Sequence, residues 1–141
     1  MLAAFEQGNA MNANTQHDIG KLLLRVTLGV LILFHGLSKL NGGMGGIVHM
    51  VEAHGLPGAL GYGVLLGEVI GPLMLIAGFH ARIGAVLVFI NMVVAVLLVH
   101  MGQIGSFNDQ GGWALELQAM YLVSALALAL LGPGRFSVNE R

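Results

Sequence analysis

The chain has 141 residues, of which 56% are hydrophobic and 9% are charged, and its formal net charge at pH 7 is −1. Its mean hydropathy is +0.82. This composition is too apolar for a water-soluble domain of this size and indicates one small integral membrane domain. The absence of cysteine excludes disulfides and iron–sulfur clusters held by the chain's own thiolates. No cluster of Lys and Arg is present, so we set a nucleic-acid partner aside.

The first apolar run, residues 21–40, reads KLLLRVTLGVLILFHGLSKL. A helix of this length rises about 30 Å, which is enough to cross a bilayer. The run also contains Arg25, His35 and Lys39. At about 100° per residue, Arg25 and Lys39 fall on one narrow helix face, with His35 on its flank. Because charged groups are costly in lipid, we expect this face to pack against protein.

The segments on either side of this run are predicted to be a tail and a loop. Residues 1–18 lack the basic start and the apolar core of a signal peptide, which favours a short, mobile polar tail. Asp18 is placed to cap the first helix. Residues 41–58 are rich in glycine and contain a proline, and they predict an outer loop with a short interfacial helix.

A second span is predicted at residues 60–79, and it carries Glu68 near mid-depth. An ionised carboxylate there costs on the order of a few kcal/mol unless it is partnered or protonated. Pro72 removes the amide that would bond the Glu68 carbonyl in a regular helix, so we expect a kink. Both the side chain and the backbone of Glu68 therefore need partners. Three glycines recur every four residues and predict a ridge for close helix packing: Gly63, Gly67 and Gly71.

The third span is predicted at residues 83–100, with Asn91 as its one strongly polar interior group and His100 at its end. In a straight helix, His100 points about 180° away from Asn91. This geometry, together with its boundary position, makes His100 a weaker candidate for an interior site.

The fourth span is predicted at residues 113–131, and the Gly-Pro-Gly sequence at 132–134 ends it. Glu116 lies just inside the outer end of this span. Gln118 lies on the opposite side of the helix, so only one of these two side chains can face the centre of the bundle.

These segments predict an all-α fold, an integral membrane four-helix bundle over residues 19–134 followed by a tail at 135–141. Five of the six basic residues fall on the side of the two termini, and only Lys39 falls on the other. By the positive-inside rule, both termini are expected to be cytoplasmic. The five are Lys21, Arg25, Arg82, Arg135 and Arg141.

The polar groups concentrate in the outer half of this predicted bundle and indicate a pocket that can bind a carbonyl or hydroxyl headgroup and exchange protons. Histidine titrates near neutral pH, and an acid in apolar surroundings favours its neutral form. That is the chemistry a quinone site needs. The candidate binding or proton-exchanging residues are Glu68, His35, Lys39, Glu116, Asn91, Arg25 and His100.

Two other interpretations of these groups remain open. Intramembrane ion pairs often serve only to hold helices in register, which would give Glu68 a purely structural role. His35 and His100 at similar depth are weak evidence for a haem or metal ligand pair, and we predict neither. No catalytic residue is assigned from the sequence.

A series of short motifs occurs in order along the chain between residues 20 and 138: Arg25 with Gly29, His35-Gly36 and Lys39, then Glu68 with Gly71, Leu75 and Gly78, then Ala81-Arg82, His100 and Glu116, and finally Gly132-Pro133-Gly134 with Ser137-Val138. Together these motifs resemble the DoxX family of small four-helix bacterial membrane proteins. One departure is Asn139, where the family often has an aspartate.

The resemblance implies a multi-pass protein of the bacterial inner membrane with a link to respiratory redox chemistry. The family looks like the membrane subunit of thiosulfate:quinone oxidoreductase, and other members are described as parts of membrane oxidoreductase complexes. The leading hypothesis is therefore a quinone-associated subunit of a membrane oxidoreductase system, with an oxidoreductase partner subunit. Arg25 and Lys39 would tune the charge of its site.

Two alternative functions are also compatible with the sequence. The first is an accessory subunit without chemistry of its own, which docks a partner through its glycine ridge and outer loops. The second is a proton-coupled carrier of a small solute, which the lack of a detectable internal repeat disfavours. The glycine faces also permit a homodimer.

Overall fold

The computed structural model describes residues 2–139, with side chains described from Ala13 onward. Its helices are α1 (Leu2–Gly42), α2 (Gly45–Ala53), α3 (Gly71–Ala77), α4 (Ala81–Ala95) and α5 (Glu116–Leu131). A 3₁₀ helix (Gly58–Gly63) and a π-helical turn (Leu66–Ile70) precede α3. A second π-helical turn (Val96–His100) and a 3₁₀ turn (Met101–Gln103) follow α4.

Three helical segments within the described residues are long and apolar enough to cross a membrane: Ala13–Gly42, Gly58–Ala77 and Ala81–Gln103. We call the last two the second and third spans. The apolar helix α5 has 16 residues and rises about 24 Å, which is less than the roughly 30 Å of a hydrocarbon core. No strand forms between residues 2 and 139. The prediction of an all-helical membrane protein is confirmed.

Helix α1 begins at Leu2, whereas the sequence predicted a tail up to residue 18. The predicted boundary marked the start of the apolar run, but a helix need not end where its polarity changes. Residues 2–18 contain no proline and one glycine, Gly8, so nothing in the backbone stops the helix there. Asp18, predicted to cap the helix start, is therefore internal to α1, and its Oδ1 accepts a hydrogen bond from the Arg135 amide at 3.2 Å.

The second span changes its helical form next to Pro72. In the π-helical turn Leu66–Ile70, the amide of Gly71 donates to the carbonyl of Leu66, five residues back. Proline follows immediately, and it has no amide to continue a regular ladder toward Glu68. The wide turn therefore ends where the α-helical hydrogen bond is missing, and it contains Glu68.

The glycine ridge of the second span packs against the third span at two of its three positions. A Cβ on Gly67 would overlap the side chain of Asn91, and a Cβ on Gly71 would lie 3.0 Å from the Gly84 carbonyl oxygen. A Cβ on Gly63 would meet nothing within 4 Å. Close packing of the second span therefore depends on Gly67 and Gly71, and Gly63 has open space.

The hydrophobic core joins α1, α3, α4 and α5. Its buried members are Leu28, Ile32, Leu75, Ala81, Ala85, Val88, Met92, Ala125 and Leu128. Large apolar side chains also cover the outside, including Leu23, Phe34 and Leu130, each more than 60% exposed. Such an apolar exterior would be unfavourable in water and is expected for helices in contact with lipid.

Candidate functional site

A cavity of about 660 Å³ lies in one half of the bundle. Its wall is built from α1, α2, the second and third spans, and α5. From α2, the apolar residues Ile47, Met50 and Val51 line it, and Val51 is buried. Most of the other lining side chains are apolar too. The polar ones are His35, Lys39, Glu68, Asn91, His100, Gln118 and Tyr121.

Glu68 forms the centre of a polar network in this wall. The residue is only 6% exposed. Its Oε2 forms an ion pair and hydrogen bond with Lys39 Nζ, and its Oε1 accepts a hydrogen bond from Asn91 Nδ2 at 3.2 Å. Each carboxylate oxygen thus has a partner from a different span. This pairing offsets the cost of placing an ionised acid among apolar side chains.

Two glycines allow the other helices to approach this carboxylate. A Cβ on Gly36 would overlap the carbonyl group of Glu68 and lie 2.8 Å from a methyl of Val69. Gly67 makes the equivalent space for Asn91. Because both positions lack a side chain, α1 and the third span come close enough for an ammonium group and an amide to reach one acid.

The α5 side of the cavity contains a second set of polar side chains: His35, Gln118 and Tyr121. The rings of His35 and Tyr121 meet edge to face, with centroids 6.1 Å apart and an interplanar angle of 77°. Gln118 lies one helical turn before Tyr121 and also lines the cavity. Its Oε1 is buried without a hydrogen-bond partner. This side of the wall has no carboxylate or ammonium group, whereas the Glu68 side contains an ion pair.

His100 lies in the cavity wall with Asn91, although a straight helix would point them in opposite directions. The third span is not a straight α-helix, because the π-helical turn Val96–His100 inserts an extra residue. Such an insertion rotates the following positions by about 100°. His100 Nδ1 is within hydrogen-bond distance of Gln103 Oε1, at 3.0 Å.

Glu116 is not brought to the cavity. It is exposed at the start of α5, and its Oε1 accepts a hydrogen bond from Asn108 Nδ2 at 3.2 Å in the preceding loop. Of the two opposing residues that the sequence identified in this helix, Gln118 takes the inward position. The reason is the rotation of α5 about its axis, which its packing against the other helices sets.

Arg25 is also not in the cavity wall. It is 1% exposed, and its guanidinium donates to the carbonyl of Leu75 at 2.9 Å and to that of Phe136 at 2.5 Å. These bonds cap the C-terminal end of α3 and hold the C-terminal segment against it. The predicted role of Arg25 in tuning the charge of Glu68 therefore lacks a contact, because its partners lie at the other end of α3.

Other structural contacts near the C-terminus were not anticipated from the sequence. Arg82 Nη1 donates to the carbonyls of Ala129 and Leu130, both at 2.8 Å, at the end of α5. Asn139 Oδ1 accepts a hydrogen bond from the His80 amide at 2.8 Å, and His80 has a positive φ of 44°. Arg82 lies in the first turn of α4, and a basic side chain beside the C-terminal end of a neighbouring helix can bind its last carbonyls.

The sequence named Gln118 only as the alternative to Glu116 and did not identify Tyr121 as a cavity residue. The available signal was an amide and a phenol three residues apart in an otherwise apolar helix, which places them on one face. Among the described residues, no group of three or more His, Asp or Glu side chains is placed to bind a metal ion. The polar groups in the cavity wall are hydrogen-bond donors and acceptors and one ion pair.

The fold and this wall define a class of protein: a small α-helical membrane protein whose helices surround a largely apolar cavity with a buried ion pair. The DoxX family model matches residues 20–101 of the sequence. The chain belongs to the DoxX family, as its motifs predicted.

Two curated relatives are similar to the chain over most of its length. It is 32% identical to "Putative oxidoreductase CatD" of Bacillus subtilis (strain 168) over 109 residues, which are 77% of this chain and 81% of that protein. It is 29% identical to "Inner membrane protein YqjF" of Escherichia coli (strain K12) over 125 residues, or 87% of this chain and 92% of that protein. No solved structure matches the chain significantly.

Proposed function

We propose that this DoxX-family protein is a quinone-associated subunit of a membrane oxidoreductase system in the bacterial inner membrane. The main support is the buried Glu68, paired with Lys39 and Asn91, in the wall of a largely apolar cavity of about 660 Å³. Small-molecule sites commonly have volumes of about 300–1,000 Å³ and combine apolar walls with a few polar groups. The name of the Bacillus relative supports a redox role in the family.

The cavity residues fit a quinone by their chemistry. Lys39 and Asn91 carry N–H donors that can bind a ring carbonyl oxygen, and Glu68 can accept or release a proton beside them. The apolar lining suits the ring and the first part of an isoprenoid tail. A bound quinone supplies two-electron, two-proton chemistry, and a partner subunit with its own redox cofactor would supply or accept the electrons.

Retention of native quinone tests this proposal. We expect protein purified in mild detergent to yield quinone on solvent extraction followed by mass spectrometry, and Glu68→Gln to lose most of it while remaining folded. Glu116→Gln is the matched control, because it makes the same chemical change at an exposed acid outside the cavity. It should retain quinone at the unsubstituted level.

The accessory and carrier hypotheses give different results in the same preparation. An accessory subunit would contain no quinone, would tolerate Glu68→Gln and would co-purify with its partner. A proton-coupled carrier would take up solute into vesicles that contain this protein alone when a pH gradient is applied. Either result would replace the quinone proposal.

We further propose that α5 crosses the membrane as the fourth span, with both termini in the cytoplasm and α2 at the outer interface. The supporting observation is the distribution of basic residues, together with the name of the Escherichia coli relative. Because the chain has no cysteine, a single introduced cysteine is the one site that a thiol reagent can label. An impermeant maleimide applied to spheroplasts should label Glu52→Cys and Gln110→Cys but not Gln16→Cys or Arg135→Cys. Labelling of Arg135→Cys would contradict a crossing by α5.

A further inference from the structure

One side chain that lines the cavity has a buried polar atom without a partner. Among the side chains of residues 13–139, the buried nitrogen and oxygen atoms that lack a hydrogen bond are Arg25 Nε and Gln118 Oε1. The Arg25 guanidinium is bonded through its other nitrogens at the end of α3. Gln118 makes no other side-chain hydrogen bond and lines the cavity. Buried polar groups are normally satisfied, so this amide is available to a further hydrogen-bond partner, either a water molecule or a ligand group.

No neighbouring group in the ionic part of the wall satisfies this amide. The two oxygens of Glu68 are bound by Lys39 and by Asn91. Gln118 instead shares a helix face with Tyr121, whose ring meets His35 edge to face. The wall therefore has two polar regions: one is an internally paired ion pair, and the other contains an amide oxygen without a hydrogen-bond partner.

An amide suits a ligand that changes between a carbonyl and a hydroxyl form. Turned one way it presents an acceptor oxygen, and turned over it presents two N–H donors, without any change of charge. It can thus donate to the oxygen of an oxidised ring and accept from the hydroxyl of a reduced one. The Glu68 and Lys39 pair can make the same adjustment only by moving a proton.

We propose that Gln118 is a second headgroup-binding residue and that the ligand is a ring with two opposed oxygen functions, one held by the Glu68 network and the other by Gln118. This inference rests on the proposed quinone association and specifies it further. It selects para-quinones and their quinols over rings that carry a single oxygen. Helix α5 contributes no charged side chain to the wall. Under this proposal it nevertheless takes part in ligand recognition.

Binding of two matched ligands tests the inference. The ligands are a decyl-substituted 1,4-hydroquinone and the corresponding decyl phenol, which lacks one hydroxyl. Their affinities are measured by titration calorimetry on protein in nanodiscs of phosphatidylethanolamine and phosphatidylglycerol. We expect the unsubstituted protein to bind the hydroquinone about five- to tenfold more tightly, the effect of one hydrogen bond in a buried site. In Gln118→Leu, this ratio should fall to about one.

The controls separate a ligand contact from a packing role. Gln110→Leu makes the same change in the exposed loop and should keep the ratio. Gln118→Leu removes an unpaired buried oxygen, so its thermal unfolding temperature without ligand should be equal or higher. If Gln118→Leu keeps the five- to tenfold ratio, or if the unsubstituted protein shows no preference, Gln118 is not a ligand contact although quinone association stands. If neither ligand binds and no quinone is extracted, both proposals fail.

Discussion

Lys39 of α1 and Glu68 of the second span, 29 residues apart in the sequence, form an ion pair in the cavity wall. The pair is asymmetric, because 28% of the lysine side chain is exposed but only 8% of the glutamate side chain. The acid is therefore held deep by two groups, one from α1 and one from the third span, and the ammonium is the more accessible partner. This asymmetry determines how each substitution should act.

We expect Lys39→Met to lower the free energy of unfolding by about 2–4 kcal/mol, because it leaves a buried carboxylate with only Asn91 as partner. Glu68→Gln should cost less, since the partly exposed lysine can turn toward water. The double variant should recover part of the loss from Lys39→Met. Denaturation in mixed micelles measures all three, and strictly additive losses would contradict direct coupling.

The exposed ion pair between Arg135 and Asp18 provides the reference for that experiment. Its closest charged atoms are 4.0 Å apart, and 59% of the arginine side chain is exposed. Arg135→Met should change the free energy of unfolding by less than about 1 kcal/mol, as is usual for surface pairs.

Gly36→Ala should destabilise the protein by about 1–3 kcal/mol, because the added Cβ would overlap the backbone carbonyl of Glu68, which no rotamer change can move. The loss should appear in unfolding measurements and in reduced quinone retention. Gly63→Ala is the matched control, since its Cβ would meet nothing within 4 Å. It should stay within about 0.5 kcal/mol of the unsubstituted protein. Equal effects at both positions would argue against close contact at Gly36.

Arg25→Met should lower the free energy of unfolding by about 2–4 kcal/mol, because it removes charge-assisted hydrogen bonds to the carbonyls of Leu75 and Phe136. The released C-terminal segment should become sensitive to trypsin at Arg135. The protein that remains folded should still bind quinone, because Arg25 does not touch the cavity. Selective loss of quinone without loss of stability would instead restore the predicted role in charge tuning.

Asn139→Ala should cost about 1 kcal/mol, since it removes the acceptor for the His80 amide. Asn139→Asp keeps an oxygen in the same place and should be close to neutral, measured by thermal unfolding.

His80 has a left-handed backbone conformation, which a substitution can test by the same measurement. His80→Gly should be neutral or slightly stabilising, because glycine adopts positive φ without strain.

Several features of the site could be predicted from the sequence. They depend on how deep a residue lies in the membrane and on the free-energy cost of burying a charge there. Glu68 falls near the middle of an apolar run, so it must be partnered, and Asn91 falls at the same level of the next span. Lys39 was predicted nearer the boundary, yet its long stem lets the ammonium group reach the acid. The sequence also grouped His35 with these residues, but no hydrogen bond joins it to Glu68, and its described ring contact is with Tyr121.

The sequence by itself determined that this is a helical membrane protein of the DoxX family with an acid that needs partners. Apolar length and the cost of burying a charge are properties of local composition, so they can be derived without coordinates. Only the tertiary structure decided which side chains face the cavity. Rotation about each helix axis depends on π-helical turns and on glycine contacts between helices. Those non-local effects placed His100 and Gln118 in the wall and left Glu116 and Arg25 outside it.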